Sequence, residues 1–221
     1  MPFPPSAAPA TPPRAWPAPR YRSLLAAALL GAAVGAAAGT IRGDLFRDEG
    51  YRIQVTKPAS WHFVPGEQAS SRAREALPEG VRSGQVAAAT LLVAVSEAPP
   101  GTPTRYPGRV TVAVEDLTGR PGVETLELYA QANLRTLGNL LQDFRLEGPS
   151  QRVRAGGVAG LRAEYSGVVA RPEGPVAIRG VALHFLRGRT GYAIAAVAAA
   201  EEFAARRVTL QQILASVSFL P

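Results

Sequence analysis

Apolar and polar residues alternate along several short segments of the chain, and this two-residue period is typical of half-buried β-strands. One further segment, residues 86–95 (VAAATLLVAV), is a continuous apolar run of the kind found in fully buried strands. Together these patterns predict strands at residues 51–57, 86–95, 109–115, 161–169, 176–186 and 192–199. The last three are separated by the short turn sequences RPEGP and GRTG, which favours an antiparallel meander.

Two segments have the period of an amphipathic helix instead. Apolar residues recur with helical spacing between Val123 and Leu141, which predicts a helix that lies on the sheet. Residues 201–217 begin with two glutamates and continue with a second apolar face. No repeat of 20 to 50 residues is visible, which argues against a solenoid or a propeller. The pattern predicts one α+β domain in which helices flank an antiparallel sheet.

A hydrophobic segment precedes this domain. From Leu24 to Ile41 the chain has no charged residue, and Arg20 and Arg22 come just before it. The length is just sufficient to cross a bilayer, and the preceding arginines favour a cytoplasmic N-terminus and an exported C-terminal domain. Residues 1–22, which lie before the segment, are rich in proline, which predicts a solvated tail without a core.

The segment fits either a retained transmembrane helix or a cleaved signal peptide. A small-residue end with Ala36 and Ala38 matches a cleavage site after Ala38, whereas the long, proline-filled region before it favours a retained anchor. Gly31, Gly35 and Gly39 repeat the G-x-x-x-G spacing that allows two membrane helices to approach closely, so a dimer is one possibility. We therefore expect residues 1–22 to form a tail, residues 23–41 an anchor or signal segment, residues 42–50 a linker and residues 51–221 the folded domain.

Charge and composition restrict the partners. The net charge of the chain is +7, but three arginines precede the hydrophobic segment, and from residue 40 onward the balance is 21 − 17 = +4. These charges are scattered and alternate in sign, so we expect no nucleic-acid partner. The chain contains no cysteine, which excludes disulfides, thiolate metal sites and cysteine nucleophiles.

No motif in the chain predicts a catalytic, cofactor-binding or metal-binding site. His62 and His184 are its two histidines, and an isolated histidine in a strand is more often structural than catalytic. The G-x-S-x-G motif of hydrolases is absent. The paired carboxylates at residues 115–116 should point to opposite faces of a strand, and those at residues 201–202 begin a helix, where the helix dipole explains them.

The order of the segments resembles the PsbP-like family. The resemblance rests on YRIQVTKPASWHF, ETLELYAQANLRTL, GGVAGLRAEYSG, VALHFLRGRTGYAIAAVAA and EEFAARRVTLQQILASVSF, and it spans residues 51–220. It implies an α/β/α sandwich with an antiparallel sheet, and it implies a role in binding or assembly rather than in catalysis. The turn KPASW departs from the family, because it lacks the usual glycine.

These observations lead to a hypothesis: a non-enzymatic, membrane-tethered protein of the bacterial envelope whose exported domain binds a protein partner. Candidate contact residues are four arginines that flank the late hairpin: Arg171, Arg179, Arg187 and Arg189. Ordinary solvated charges at strand edges explain the same residues. Two alternatives remain, namely a carrier or sensor that holds a small apolar or anionic ligand between sheet and helix, and an enzyme that uses His62 or His184.

Overall fold

The computed structural model of the protein describes residues 39–75, 89–102, 106–171 and 173–221. Within these ranges it contains twelve strands and three helices. The strands are β1 (Thr40–Arg42), β2 (Leu45–Asp48), β3 (Ile53–Thr56), β4 (His62–Pro65), β5 (Ala89–Ser96), β6 (Arg109–Asp116), β7 (Gln142–Leu146), β8 (Gln151–Ala155), β9 (Val158–Val169), β10 (Val176–Arg187), β11 (Thr190–Ala199) and β12 (Ser218–Phe219). The helices are α1 (Gly66–Glu75), α2 (Leu126–Leu140) and α3 (Phe203–Ser216).

The larger of two sheets has eight antiparallel strands. Seven follow the order β4-β5-β6-β11-β10-β9-β7, and β8 also pairs with β9. The first part of β9 pairs with β8 and its last part with β7, so two short strands share one edge of the sheet. The strands β9, β10 and β11 are joined in sequence and paired as neighbours, which confirms the predicted meander.

A second sheet of four strands, in the order β1-β2-β3-β12, was not predicted from the sequence. Its first two strands form a hairpin around Gly43 and Asp44, and Gly43 has the positive φ of 55° that such a tight turn requires. Most of residues 42–50, which we expected to be a linker, therefore belongs to paired strands. Phe46 on β2 is buried, because it packs with β3 onto the core of the domain.

Successive side chains of a strand point to opposite faces of the sheet, and the large sheet has a hydrophobic core on each face. Along β11, Tyr192 and Ile194 belong to one core, which α3 and the small sheet cover. Ala193 and Val197 belong to the other core, which also contains Leu137 of α2. Helices thus flank the sheet on both faces, as predicted, and the fold is α+β. On the α3 face, however, the covering layer is a helix together with a second sheet rather than helices alone.

The hydrophobic segment lies almost entirely outside the described residues. Its last two residues, Thr40 and Ile41, are part of β1, so the uncharged run that remains for a membrane span ends at Gly39. Gly39 itself lies against Phe46, since a β-carbon at this position would be 2.5 Å from the phenyl ring. In the part of the chain that the structure describes, no helix is long and apolar enough to cross a bilayer.

Candidate functional site

A groove of about 790 Å³ runs along the outer side of helix α2, between the helix and the edge strands of the large sheet. We call it the α2 groove. Its residues come from α2, from β7 and β8 and from the start of β9: Glu127, Ala130, Gln131, Leu134, Arg135, Gly138, Asn139, Phe144, Leu146, Ser150, Arg152 and Leu161. It combines an apolar floor with polar side chains on both rims, which is the usual composition of a binding surface.

Helix α2 supplies one wall of the groove because its residues divide into two neighbouring stripes. Tyr129, Asn133 and Leu137 are buried against the sheet. The residues from Glu127 to Asn139 that line the groove follow at spacings of three and four, and so they form the adjacent stripe. The helix begins at a defined point, since the hydroxyl of Thr125 accepts a hydrogen bond from the N–H of Leu128 at 3.2 Å.

Strand β7 forms the opposite wall through an irregular backbone. The register of its pairing with β9 shifts between Gln142 and Arg145, and Asp143 has a positive φ of 50°. This bulge brings the Phe144 ring against Gly138 of α2, where a β-carbon would lie 3.2 Å from the ring. The close approach closes the floor of the groove. Leu146, which is 47% exposed, continues the apolar lining toward the solvent.

The rims of the α2 groove carry more positive than negative charge. Glu127 is the only acidic residue of the lining, and it forms an ion pair with Arg152 at 2.8 Å. Both side chains are more than half exposed, so the pair adds little stability and can exchange partners. Arg135 is exposed and has no hydrogen bond or ion pair within the described residues. The lining therefore presents a cation that no side chain of the described residues neutralises.

The structure does not bring the four predicted arginines together. Arg171 and Arg187 lie near opposite ends of β10, which spans roughly 35 Å at about 3.3 Å per residue. Arg171 pairs with Glu173 at 3.3 Å, and Arg179 pairs with Glu147 at 3.7 Å. At the other end, Arg187 donates to the carbonyl of Leu220 at 3.3 Å, and Arg189 donates to the carbonyl of Leu117. Their role in partner binding stays a prediction, and they form no common patch.

The two histidines occupy different environments, and neither belongs to a catalytic arrangement in the described part of the chain. His62 is half-buried in the edge strand β4. His184 is fully buried on β10, and neither ring nitrogen has a hydrogen-bond partner among the described residues. Its ring meets that of Tyr129 edge-on, with 6.0 Å between the centroids. Burial lowers the pKa of His184 to about 4, so the ring is neutral at physiological pH.

A buried ion pair at the end of β6 was not predicted from the sequence. Glu115 is 1% exposed, and its carboxylate contacts the guanidinium of Arg120. Asp116, the next residue, is exposed, so the two carboxylates point to opposite faces as expected. Burial lowers the pKa of Arg120, and the same burial makes its pairing with Glu115 a structural requirement. Because the carboxylate of Glu115 is buried and already paired with Arg120, we assign this pair a structural role.

The glutamates that begin α3 differ from the expectation. Glu202 occupies the N-cap position, but its side chain makes no capping hydrogen bond. It pairs instead with Arg206, one turn later, at 2.8 Å. Within the described ranges, no group of three or more histidine, aspartate or glutamate side chains is placed to hold a metal ion.

No protein-family model matches the sequence, and no curated protein is significantly similar to it. The fold is similar to that of PsbP-like proteins. Cyanobacterial PsbP (CyanoP) from Synechocystis sp. PCC 6803 has a TM-score of 0.49 and 11% identity, over 84% of this chain and 98% of that one. LpqN, involved in cell envelope biogenesis of Mycobacterium tuberculosis, has a TM-score of 0.47 and 13% identity, over 76% of this chain and 83% of that one.

A third solved structure, the Ran-binding protein Mog1p of Saccharomyces cerevisiae, has a TM-score of 0.43 and 11% identity, over 82% of this chain and 97% of that one. PsbP-like proteins are thus among the solved structures to which this chain is similar. At these identities and TM-scores the similarity supports no conclusion about function.

Sequence analysis did not identify the α2 groove. One signal was present, because Gln131, Leu134, Arg135, Gly138 and Asn139 follow each other at helical spacing beside the buried stripe of α2. The opposite wall gave no signal. Strands β7 and β8 have five residues each and no fully buried position, so the alternation in FRL and RVRA is too short to identify a strand.

Proposed function

We propose that this protein is a non-enzymatic component of a bacterial cell envelope, whose domain holds a segment of a protein partner in the α2 groove. The single observation that carries the proposal is the groove itself: an apolar floor that includes Leu134 and Phe144, beneath rims that carry unused hydrogen-bonding and charged groups. In such a site the apolar contacts supply affinity, and the polar rim fixes the orientation of the bound segment.

The groove favours binding over catalysis because of what lines it. Its ionisable groups are Glu127, Arg135 and Arg152, and the one carboxylate is already paired with an arginine. An acid and a base held across a cleft, or a nucleophile beside its base, would be needed for the common hydrolytic mechanisms. Neither His62 nor His184 is among the lining residues. The proposal therefore assigns the groove to recognition.

Tethering to the membrane through the segment from Leu24 to Ile41 is the second part of the proposal. The uncharged run and the arginines before it support export of the domain. The run available for a span, from Leu24 to Gly39, is about 24 Å long as a helix, compared with about 30 Å for the bilayer core. Cleavage after Ala38, which would release a soluble exported domain, is therefore the alternative to be tested.

Site-specific crosslinking in the intact envelope tests the binding site. The full-length chain, with a C-terminal tag, is expressed in a bacterial host with a photoreactive phenylalanine at Gln131 or at Ser150, on the two rims of the groove. A matched control carries the same residue at Val208, an exposed position on α3. We expect both groove positions to crosslink the same protein, identified by mass spectrometry, and the Val208 position not to do so.

Two further variants test whether the crosslinked protein is bound in the α2 groove or at the four predicted arginines. Asn139→Trp fills the groove from an exposed position of α2 and should abolish the adduct formed from Gln131. Replacement of the four predicted arginines by serine should leave that adduct intact. Adducts of equal yield from the groove and from Val208, or an adduct that survives the tryptophan variant, would contradict binding in the groove. Loss of the adduct in the serine variant would assign the contact to the arginines instead.

A carrier or sensor of a small anionic amphiphile is the second candidate function. The observation that favours it is the exposed guanidinium of Arg135, which has no partner in the described part of the chain and lies beside an apolar floor. Native mass spectrometry of the purified full-length chain separates the two candidates. A copurified small molecule that Asn139→Trp displaces supports the carrier, and a bare mass supports the protein-binding function.

A further inference from the structure

The surplus positive charge around the α2 groove points to the chemistry of its occupant. Besides Arg135 and Arg152, which line the groove, Arg154 lies two residues further along β8 and so projects from the same side of that strand. Among the described residues, Glu127 is the only acidic side chain in the lining. Three arginines therefore surround a site that contains one carboxylate.

These arginines are available to a ligand to different degrees. Arg135 makes no hydrogen bond or ion pair within the described residues. Arg152 is held by the exposed pair with Glu127, and Arg154 donates to the carbonyl of Gly157 at 2.9 Å from an exposed position. Exposed contacts of this kind are worth little, so both arginines can turn to a carboxylate of a ligand at small cost. Guanidinium groups bind carboxylates through two parallel hydrogen bonds, which adds geometric selectivity.

The dimensions of the groove suit a short peptide. Helix α2 has 15 residues and is therefore about 22 Å long, which corresponds to about seven residues of an extended chain. Side chains of moderate size can reach the floor at Leu134, Phe144 and Leu161. In a segment that has both apolar side chains and carboxylates, the apolar side chains can pack on the floor while the carboxylates pair with the arginines of the rims.

We infer that the α2 groove binds an acidic segment of its protein partner, in which aspartate or glutamate alternates with leucine, phenylalanine or another large apolar residue. This inference rests on the proposed function and specifies the partner's chemistry. The carboxylates pair with Arg135 and with Arg152, and the apolar side chains pack on the floor. Opposite charge also accelerates the encounter, so binding should weaken as the salt concentration rises.

Selection from a phage-displayed library of random peptides of about ten residues, with the purified full-length chain as bait, tests the inference. The Asn139→Trp variant serves as the bait for counter-selection. We expect the enriched peptides to be rich in aspartate or glutamate together with large apolar residues. Groove-dependent enrichment of neutral or basic peptides would overturn the inference while leaving the proposed function intact. Absence of any groove-dependent peptide would overturn both.

Binding of a selected peptide, followed by fluorescence anisotropy, then tests the assigned arginine. Arg135→Glu should weaken binding about tenfold, since it removes one attraction and adds a repulsion, whereas Arg135→Lys should stay within about threefold. The matched control is Arg42→Glu on β1, which makes the same charge change at an exposed residue outside the groove. Equal effects of Arg135→Glu and Arg42→Glu would refute a local contact and leave only a response to net charge.

Discussion

The buried ring of His184 should make the domain lose stability in mild acid, and replacement by leucine should remove that loss. The ring is fully buried between Leu161 of β9 and Ala193 of β11, its partners across the strands, and beneath Tyr129 of α2. Its nitrogens have no hydrogen-bond partner in the described structure. The titratable group that faces the ring is Tyr129, which stays neutral in acid because burial raises its pKa. No group in the described structure therefore compensates the charge of a proton on His184.

The size of the effect follows from the two protonation equilibria. Burial lowers the pKa of His184 to about 4 in the folded protein, compared with 6.5 in the unfolded chain. The unfolded chain therefore takes up a proton first as the pH falls, and this favours unfolding. The contribution is fully present above pH 6.5 and is lost progressively down to about pH 4. The loss is about 2 kcal/mol at pH 5 and about 3 kcal/mol below pH 4, on the order of a fifth to a half of the stability of a typical domain.

Urea unfolding, followed by the fluorescence of the buried Trp61, measures the effect. His184→Leu should change the free energy of unfolding at neutral pH by only about 1 kcal/mol, from the lost ring contact. When the pH is lowered from about 7 to about 5, the free energy of unfolding should fall by about 2 kcal/mol less in His184→Leu than in the parent. His62→Leu, at a half-buried edge position, is the control and should keep the acid sensitivity of the parent. Parallel loss of stability in parent and His184→Leu would refute the reasoning.

Three further predictions concern the core and the N-terminus. Arg120→Met should lower the free energy of unfolding by about 3 kcal/mol, because it leaves the carboxylate of Glu115 buried without a partner, and chemical denaturation measures the loss. Gly191→Ala should lower it by about 2 kcal/mol, since the new methyl group would lie 2.5 Å from the ring of Tyr129, and thermal unfolding measures this change. For the tethered protein we expect mass spectrometry to find an intact N-terminus, whereas a chain that begins at Gly39 would show cleavage and release.

Each of the two core predictions has its own control. Adding Glu115→Gln to Arg120→Met should recover part of the lost stability, because the buried group is then neutral, and no recovery would mean that the charge is not the cause. Gly50→Ala should have a small effect, since its methyl group would lie 3.4 Å from a carboxylate oxygen of Asp48 in ordinary contact. Equal destabilisation by the two glycine variants would contradict the proposed clash with Tyr129.

The sequence predicted those elements that have a periodic pattern or a continuous apolar run. Helix α2 and strand β9 were found because their buried and exposed positions alternate with the period of the element. Strand β11 is buried on both faces and was found from its apolar run after the turn GRTG. Strand β8 was missed because QRVRA has no fully buried position, and the β1–β2 hairpin was missed because its polar residues resemble those of a linker.

The candidate site was less predictable than the fold, for a physical reason. The α2 groove is formed by residues far apart in the chain, and the wall that β7 forms depends on a bulge at Asp143 that places the Phe144 ring against Gly138. Neither the bulge nor the contact leaves a periodic signal. The burial of Glu115 could not be predicted from the sequence either. Its partner Arg120 lies in the following turn, where an arginine is expected at the surface.

The hairpin β1–β2 sets an order of events for the maturation of the chain. In the formed hairpin, Gly39 lies against the ring of Phe46, and Thr40 is paired with Arg47. A peptidase requires several residues of extended, accessible chain around the bond that it cuts, so the bond after Ala38 is open to attack only before the hairpin closes. If the chain is exported as proposed, cleavage after Ala38 and closure of the hairpin compete in time: slow closure favours a released domain, and fast closure preserves the full-length chain. Phe46→Ala, which loosens the hairpin, should shift the mature protein toward the shorter form.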